Sequence, residues 1–291
     1  MQHKEGVFSG SDDLELYYQC WLPDGDARAV VVIVHGFSDH CGRYSEMVDT
    51  LIKRQLAVYS YDLRGHGRSP GKRGYIDHFA DYRQDTRTFI SLISEQHPDL
   101  PFFLFGHSMG GLIALDQALY YPEELSGVIS SAALLGNPPV SPAKLAVGRI
   151  LSKVWPSFSM DAGLDEGSLS RDEAAVQAYR DDPLVHGRGT ARLSTELEEA
   201  ITETQANAHN LRVPLLIYFG SEDRLANPQD SQRFYENVRS ADKSIIVYEG
   251  GHHENHNDIH SERVVIEVAQ WIEAQVLIAS QEQKHKDSID G

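Results

Sequence analysis

Three loops of this 291-residue chain carry the side chains that nucleophilic acyl transfer needs. The first is Gly106-His-Ser-Met-Gly110, which fits G-x-S-x-G and lies between a short apolar run, Pro101 to Phe105, and a helical one, Leu112 to Tyr120. A sharp strand-to-helix turn brings backbone segments together and leaves no room for a Cβ, so glycine flanks it on both sides. Taken alone, the five residues fit a glycine-rich helix start capped by serine equally well. A serine hydroxyl becomes a useful nucleophile only when a base takes its proton and a third group orients that base. The two other loops supply both. Gly220-Ser-Glu-Asp223 follows the strand-like run 214–219, and Gly250-Gly-His-His253-Glu254 follows the run 244–248. Ser108, Asp223 and His253 thus stand in the order nucleophile, acid, base, each on the loop after its own strand, and this decides against the capped helix.

The elements that must position these loops are legible from pattern. Residues 14–22 partly alternate and read as a strand. Ala29 to Val34 is a solid β-branched run, as in strands covered on both faces. Leu56 to Tyr61 and Gly127 to Ala132 read as further strands, with helices expected over 44–56, 79–93 and 261–277. Strands alternating with helices predict an α/β fold, a mostly parallel doubly wound sheet, with ligands at the C-terminal ends of its strands. Between 136 and 210 no convincing buried strand occurs. Pro138, Pro139 and Pro142 open a helical segment whose apolar stripe is Val147, Ile150, Leu151, Val154, Trp155 and Phe158. The default reading of such a stripe is the side that packs on the body. The expected organisation is a core in two parts, 1–135 and 211–279, a helical insertion at 136–210, and a polar, solvated tail at 280–291.

Composition narrows the partners. A formal net charge of −17 argues against nucleic acid and against adhesion to anionic lipid by charge. Two cysteines make no disulfide framework, Met1-Gln-His-Lys-Glu lacks the apolar core of a signal peptide, and no apolar run long enough to span a membrane and no N-x-[ST] acceptor occurs in this sequence. The expectation is a soluble cytoplasmic protein.

The motifs then become specific. His35-Gly-Phe-Ser-Asp-His-Cys-Gly-Arg-Tyr44, Asp62-Leu-Arg-Gly-His-Gly-Arg-Ser69 and Gly106-His-Ser-Met-Gly-Gly111 resemble the signature blocks of the monoacylglycerol lipase family of serine hydrolases. So do Leu169-Ser-Arg-Asp172, Tyr179-Arg-Asp-Asp-Pro-Leu184 and Tyr248-Glu-Gly-Gly-His-His-Glu254, in register from about Val7 to Val276. The resemblance implies an α/β-hydrolase fold whose insertion is a cap shaping an acyl channel. It implies Ser108 as nucleophile, His253 rather than His252 as base, and Asp223 rather than Glu222 as acid. By the same resemblance the backbone N–H groups of Phe37 and Met109 form the oxyanion hole, and Asp39, Arg43 and His107 fall near the glycerol moiety, Asp39 replacing the family's usual glutamate. Ile150, Leu151, Trp155, Phe158 and Tyr179 are the remaining substrate-binding candidates. Trp155 and Phe158 would line an acyl pocket or touch a membrane surface transiently.

The implied function is cleavage of monoacylglycerol esters through an acyl-serine intermediate, without cofactor or metal. A lysophospholipase or general carboxylesterase is the near alternative, and cofactor-free haloperoxidase chemistry or a non-catalytic binding protein the remote ones. Serine at the elbow argues against epoxide hydrolase and dehalogenase chemistry, which place aspartate there. Gly65-His-Gly-Arg-Ser-Pro-Gly71 is a poor dinucleotide fingerprint, because Pro70 takes the last glycine's place and no helix opens. The run His252 to His260 would put His252, His256 and His260 on one helix face. However, Asn257 stands where a zinc-protease helix needs its second histidine. His35 and His66 read as structural.

Overall fold

A computed structural model describes residues 1–137 and 142–290, and side chains over 1–137 and 146–281. Pro138 and Pro139, expected to open the helical segment, lie outside the described residues.

Ten strands and eight α-helices occur among the described residues. The main sheet contains β1 (Gln2–Ser9), β2 (Glu15–Leu22), β3 (Ala29–Val34), β4 (Leu56–Tyr61), β5 (Phe102–His107), β6 (Gly127–Ser131), β9 (Leu215–Gly220) and β10 (Lys243–Tyr248). Their order is β1-β2-β4-β3-β5-β6-β9-β10. β1 and β2 pair antiparallel, as do β2 and β4; every other pairing is parallel. This is the mostly parallel, two-faced α/β sheet expected from the alternation.

β3 shows why its sequence is apolar throughout. Val30, Val32 and Val34 face one core with α2 (Phe79–Ser94), α3 (Met109–Tyr120), α6 (Ala191–Asn207) and α7 (Pro228–Asn237). Ala29, Val31 and Ile33 face the other, with α1 (Ser45–Lys53) and α8 (Ser261–Asp290). A strand covered on both sides has no face left for polar residues.

Several features differ from expectation. β1 was not legible, because Gln2-His-Lys-Glu is charged and lies exposed along the sheet edge, where charge discourages unwanted pairing. Within 136–210, β7 (Ser159–Asp161) and β8 (Arg188–Thr190) form a separate antiparallel pair, each too short to show a period. α6 buries Leu193, Ala200 and Ile201 in the main core, apolar positions that the polar residues between them obscure in the sequence. Finally, α8 continues to Asp290 through the expected tail, since 280–290 carry helix formers and neither glycine nor proline.

α4 (Pro142–Val154) lies against α6, where Ser152 Oγ meets Thr195 Oγ1 at 2.7 Å. Its apolar stripe is divided. Leu151 and Phe158 are half-buried, whereas Val147, Ile150, Val154 and Trp155 are 55–74% exposed. The stripe is wider than the contact with α6, so the default reading of a wholly packed face does not hold. α5 (Glu173–Asp181) completes the helices.

Candidate active site

The turn after β5 is as tight as its glycines imply. A Cβ on Gly106 would sit 2.1 Å from Gly110 O, and one on Gly110 would sit 2.1 Å from Val34 O. Ser108, between β5 and α3, has φ 55° and ψ −117°. Such a conformation costs a non-glycine residue on the order of 1–3 kcal/mol. It is held by Ser108 N–H donating to Ser131 O at 2.9 Å and by Leu134 N–H donating to Ser108 O at 3.0 Å.

The loops after β9 and β10 are bonded to each other: Ser221 N–H donates to Tyr248 O and Glu222 N–H to Gly251 O, both at 3.0 Å. This joins Asp223 to His253, whose Nδ1 lies 2.8 Å from Asp223 Oδ2, with both residues buried. The other carboxylate oxygen, Oδ1, accepts the N–H groups of Leu225 at 2.8 Å and Ala226 at 3.0 Å, so the acid is fixed from two sides. Glu222 is exposed. Burial lowers the His253 pKa, but Asp223, its hydrogen bond and the charges of Glu254 and Asp39 outweigh it, so the pKa stands above the usual histidine value.

His253 meets the ring of His107, the residue before Ser108, at 4.7 Å between centroids; His107 meets His256 at the same distance. Burial drives the pKa of His107 well below its ordinary value and that of His256 down to about 4. Both flanking imidazoles are therefore neutral at pH 7, and His253 is the one of the three whose pKa is raised. No hydrogen bond joins Ser108 to His253 among the described residues; such bonds often form only when substrate is bound.

The His35–Gly36 loop abuts the turn, for a Cβ on Gly36 would lie 3.1 Å from Ser108 Cβ. Phe37 follows it, and Met109 opens α3. Neither N–H donates to an acceptor among the described residues. Ser38, next in the loop, is fully buried with φ 60°. The left-handed region costs a serine roughly 1–2 kcal/mol.

Asp39, Arg43 and Tyr179 are brought together with Glu254, a residue of the matched motif to which the sequence assigned no role. Arg43 Nη1 donates to Asp39 Oδ1 at 3.1 Å and to Glu254 Oε1 at 2.9 Å, while Nη2 donates to Glu254 Oε2 at 2.8 Å. Tyr44 O–H donates to Asp39 Oδ2 at 2.8 Å, and the Tyr179 ring covers the guanidinium at 4.7 Å. Burial raises the Asp39 pKa, but Arg43, His35 and His40 hold it down at about 2. Arg43 likewise keeps Glu254 below its usual value against burial. One cation thus bridges a carboxylate two residues from Phe37 and another next to His253. Opposite charges 211 positions apart leave no signal in the sequence.

Among the other candidates, Leu151 and Phe158 are half-buried, while Ile150 and Trp155 lie at the surface, 61% and 58% exposed. The Phe158 ring packs edge-on to Trp155 at 5.3 Å. Residues 252–260 form a loop and one short turn before α8 begins, so they share no helix face. His35 donates from Nδ1 to Gly36 O at 2.7 Å and accepts Leu63 N–H at Nε2, 2.9 Å away, and so braces its loop. Asp62 accepts the N–H groups of Cys41 and Arg68, which makes the glycine-rich loop after β4 a brace also.

Residues 25–260 match the family described as serine aminopeptidase, S33. The monoacylglycerol lipase of Mycolicibacterium smegmatis is 36% identical over 270 residues, 92% of this chain and 96% of that protein. The monoglyceride lipase of Homo sapiens is 32% identical over 90% of this chain and 88% of its own length. The crystal structure of the Paleococcus ferrophilus monoacylglycerol lipase superposes with a TM-score of 0.82 at 31% identity, covering 90% of this chain and all of that one.

Proposed function

The chain belongs to the monoacylglycerol lipase family of α/β-hydrolases, and from that premise we propose that it hydrolyses monoacylglycerol esters through an acyl intermediate on Ser108. Ser108 Oγ attacks the ester carbonyl as His253 Nε2 takes its proton. Asp223 holds the Nδ1–H tautomer and stabilises the imidazolium. The N–H groups of Phe37 and Met109 receive the oxyanion, a role in which one donor is typically worth about 3 kcal/mol. His253 then returns the proton to the departing glycerol oxygen, and a water activated by the same imidazole cleaves the acyl-serine. The observation that carries this reading is the buried 2.8 Å pairing of His253 with Asp223 beside a serine held at positive φ.

Residues 136–210 act as the cap. Leu151 and Phe158 face the acyl chain, and the exposed ridge Val147, Ile150, Val154 and Trp155 makes transient contact with a membrane surface. The net charge leaves apolar contact as the cause of any such adhesion. No described helix is long and apolar enough to cross a membrane.

The match to the serine aminopeptidase family raises peptide hydrolysis as a second reading. An aminopeptidase needs an uncompensated carboxylate for the substrate's ammonium group. Asp39 and Glu254, beside the base, both bond Arg43, so neither carboxylate stands without a partner to take an ammonium group on the acyl side, which supports an uncharged acyl substrate. The test is a comparison of kcat/KM for monoacylglycerols, lysophosphatidylcholine, short p-nitrophenyl esters and aminoacyl p-nitroanilides. The proposal predicts that long-chain monoacylglycerols lead and the anilides are inert. Preference for lysophosphatidylcholine or short esters would move the assignment to the near alternatives.

A further inference from the structure

Ser38 is the strained residue of the His-Gly loop, and what holds it comes from a distant part of the chain. Its Oγ donates to the backbone carbonyl of His186, and its own carbonyl accepts Tyr179 O–H at 3.3 Å. The His186 ring also meets the Phe37 ring edge-on, at 5.8 Å and 88°, with His66 on another side of Phe37 at 5.9 Å and 79°. The segment that supplies these contacts is itself pinned to the body. His186 Nδ1 accepts Arg188 N–H at 3.3 Å, which leaves Nε2–H to donate to Gly65 O at 3.1 Å. Thr190 donates to Gly74 O twice, from N–H at 3.1 Å and from Oγ1 at 2.7 Å. A Cβ on Gly74 would lie 2.0 Å from Arg188 O, so the two backbones are in direct contact there.

We propose that Ser38 and Tyr179 are positioning residues for the oxyanion hole: residues 179–190 aim the Phe37 N–H by holding Ser38 in its left-handed conformation. The inference rests on the reading of Phe37 N–H as an oxyanion donor. A donor stabilises developing charge only when its direction is set before the reaction. The left-handed region is unfavourable for serine, so without its two ties the loop relaxes and residue 37 turns with it. Residues 179–190 thereby contribute to the chemistry as well as to the enclosure of substrate.

The test uses the full chain and two kinds of ligand. Ser38→Ala removes the Oγ tie and keeps the strain; Ser38→Gly removes the tie and tolerates the backbone; Tyr179→Phe removes the second tie and keeps the ring over Arg43. We expect kcat to fall on the order of 10²-fold in Ser38→Ala, the scale of an ångström-sized misplacement, about tenfold in Ser38→Gly and severalfold in Tyr179→Phe. KM should stay within about twofold, because ground-state binding is untouched. The Ki of a long-chain trifluoromethyl ketone, which forms an oxyanion on serine, should rise by the factor that kcat/KM falls. The Ki of the matching fatty alcohol, which forms none, should not move. A structural role alone would raise both Ki values or lower the melting temperature without separating them, and that result would overturn the proposal. So would full activity in Ser38→Ala or, if that variant does not fold, in Tyr179→Phe. Failure of a fluorophosphonate to label Ser108 in the unchanged protein would instead overturn the site reading, and this inference with it.

Discussion

Beside His253, Arg43 is largely enclosed between Asp39 and Glu254 with a tyrosine ring on its face, whereas α4 and the residue after it hold Val147, Ile150, Val154 and Trp155 out in solvent. Both regions belong to the reading of one site, and they are built on opposite terms. In the first, charge is removed from water and compensated by partners, so the loss of one partner strands the others. In the second, apolar surface lacks a partner within the chain, so its loss leaves the fold little changed. The first region holds the groups around His253 in one arrangement; the second leaves apolar surface exposed to solvent.

That contrast can be broken by substitution, and the largest effect is expected at the acid. Asp223→Asn should lower kcat on the order of 10⁴-fold, because the amide no longer holds the required tautomer. Glu222→Ala, exposed and unpaired with the base, should leave kcat nearly unchanged; the reverse ranking in steady-state assays would show that the wrong carboxylate was chosen. Arg43→Met comes next. It leaves two carboxylates buried without their cation and should cost about 3–5 kcal/mol in urea unfolding. A loss below about 1 kcal/mol, the range of exposed ion pairs, would mean that the cluster is hydrated rather than buried.

Glu254→Gln probes the same region through pH. With His253 as the proposed base, hydrolysis needs its neutral form, so activity should be lost as pH falls through its raised pKa, and the acid limb should lie above the ordinary histidine value of about 6.5. Glu254 is one of the charges that raise it, so the amide should move the limb to lower pH. A limb that stays in place in the kcat/KM profile would remove Glu254 from the electrostatics of the base. The smallest effect on the protein itself belongs to the other region. Trp155→Ser with Ile150→Asp should change stability by no more than about 0.5 kcal/mol per site and spare turnover of a dissolved short ester. Turnover of monoacylglycerol presented in vesicles should fall. Equal loss on both substrates would place these residues in the working site and end the contrast.

How much of this could be read in advance follows the same division. β3, wholly apolar over Ala29–Val34, announced a strand covered on both faces, and the loops after β5, β9 and β10 announced Ser108, Asp223 and His253 because each follows its own strand. Local rules suffice where the signal is local. They fail for Arg43 and Glu254, whose pairing exists only after the sheet brings their loops together, and for Ser38, whose positive φ no composition reveals. They fail also for β1, where edge charge masks the strand, and for α6, whose buried apolar residues, Leu193, Ala200 and Ile201, are diluted by polar ones. The apolar stripe of α4 was legible as a stripe, but how much of it would be covered depended on the width of α6.

Whether Ser108 is a nucleophile activated by His253 is tested most directly by the mass of the tryptic peptide bearing Ser108 after treatment with a fluorophosphonate. The account predicts a stoichiometric adduct on that peptide, slowed in Asp223→Asn and absent in Ser108→Ala. An unmodified Ser108 peptide in the active protein, or ester hydrolysis undiminished in Ser108→Ala, would contradict it.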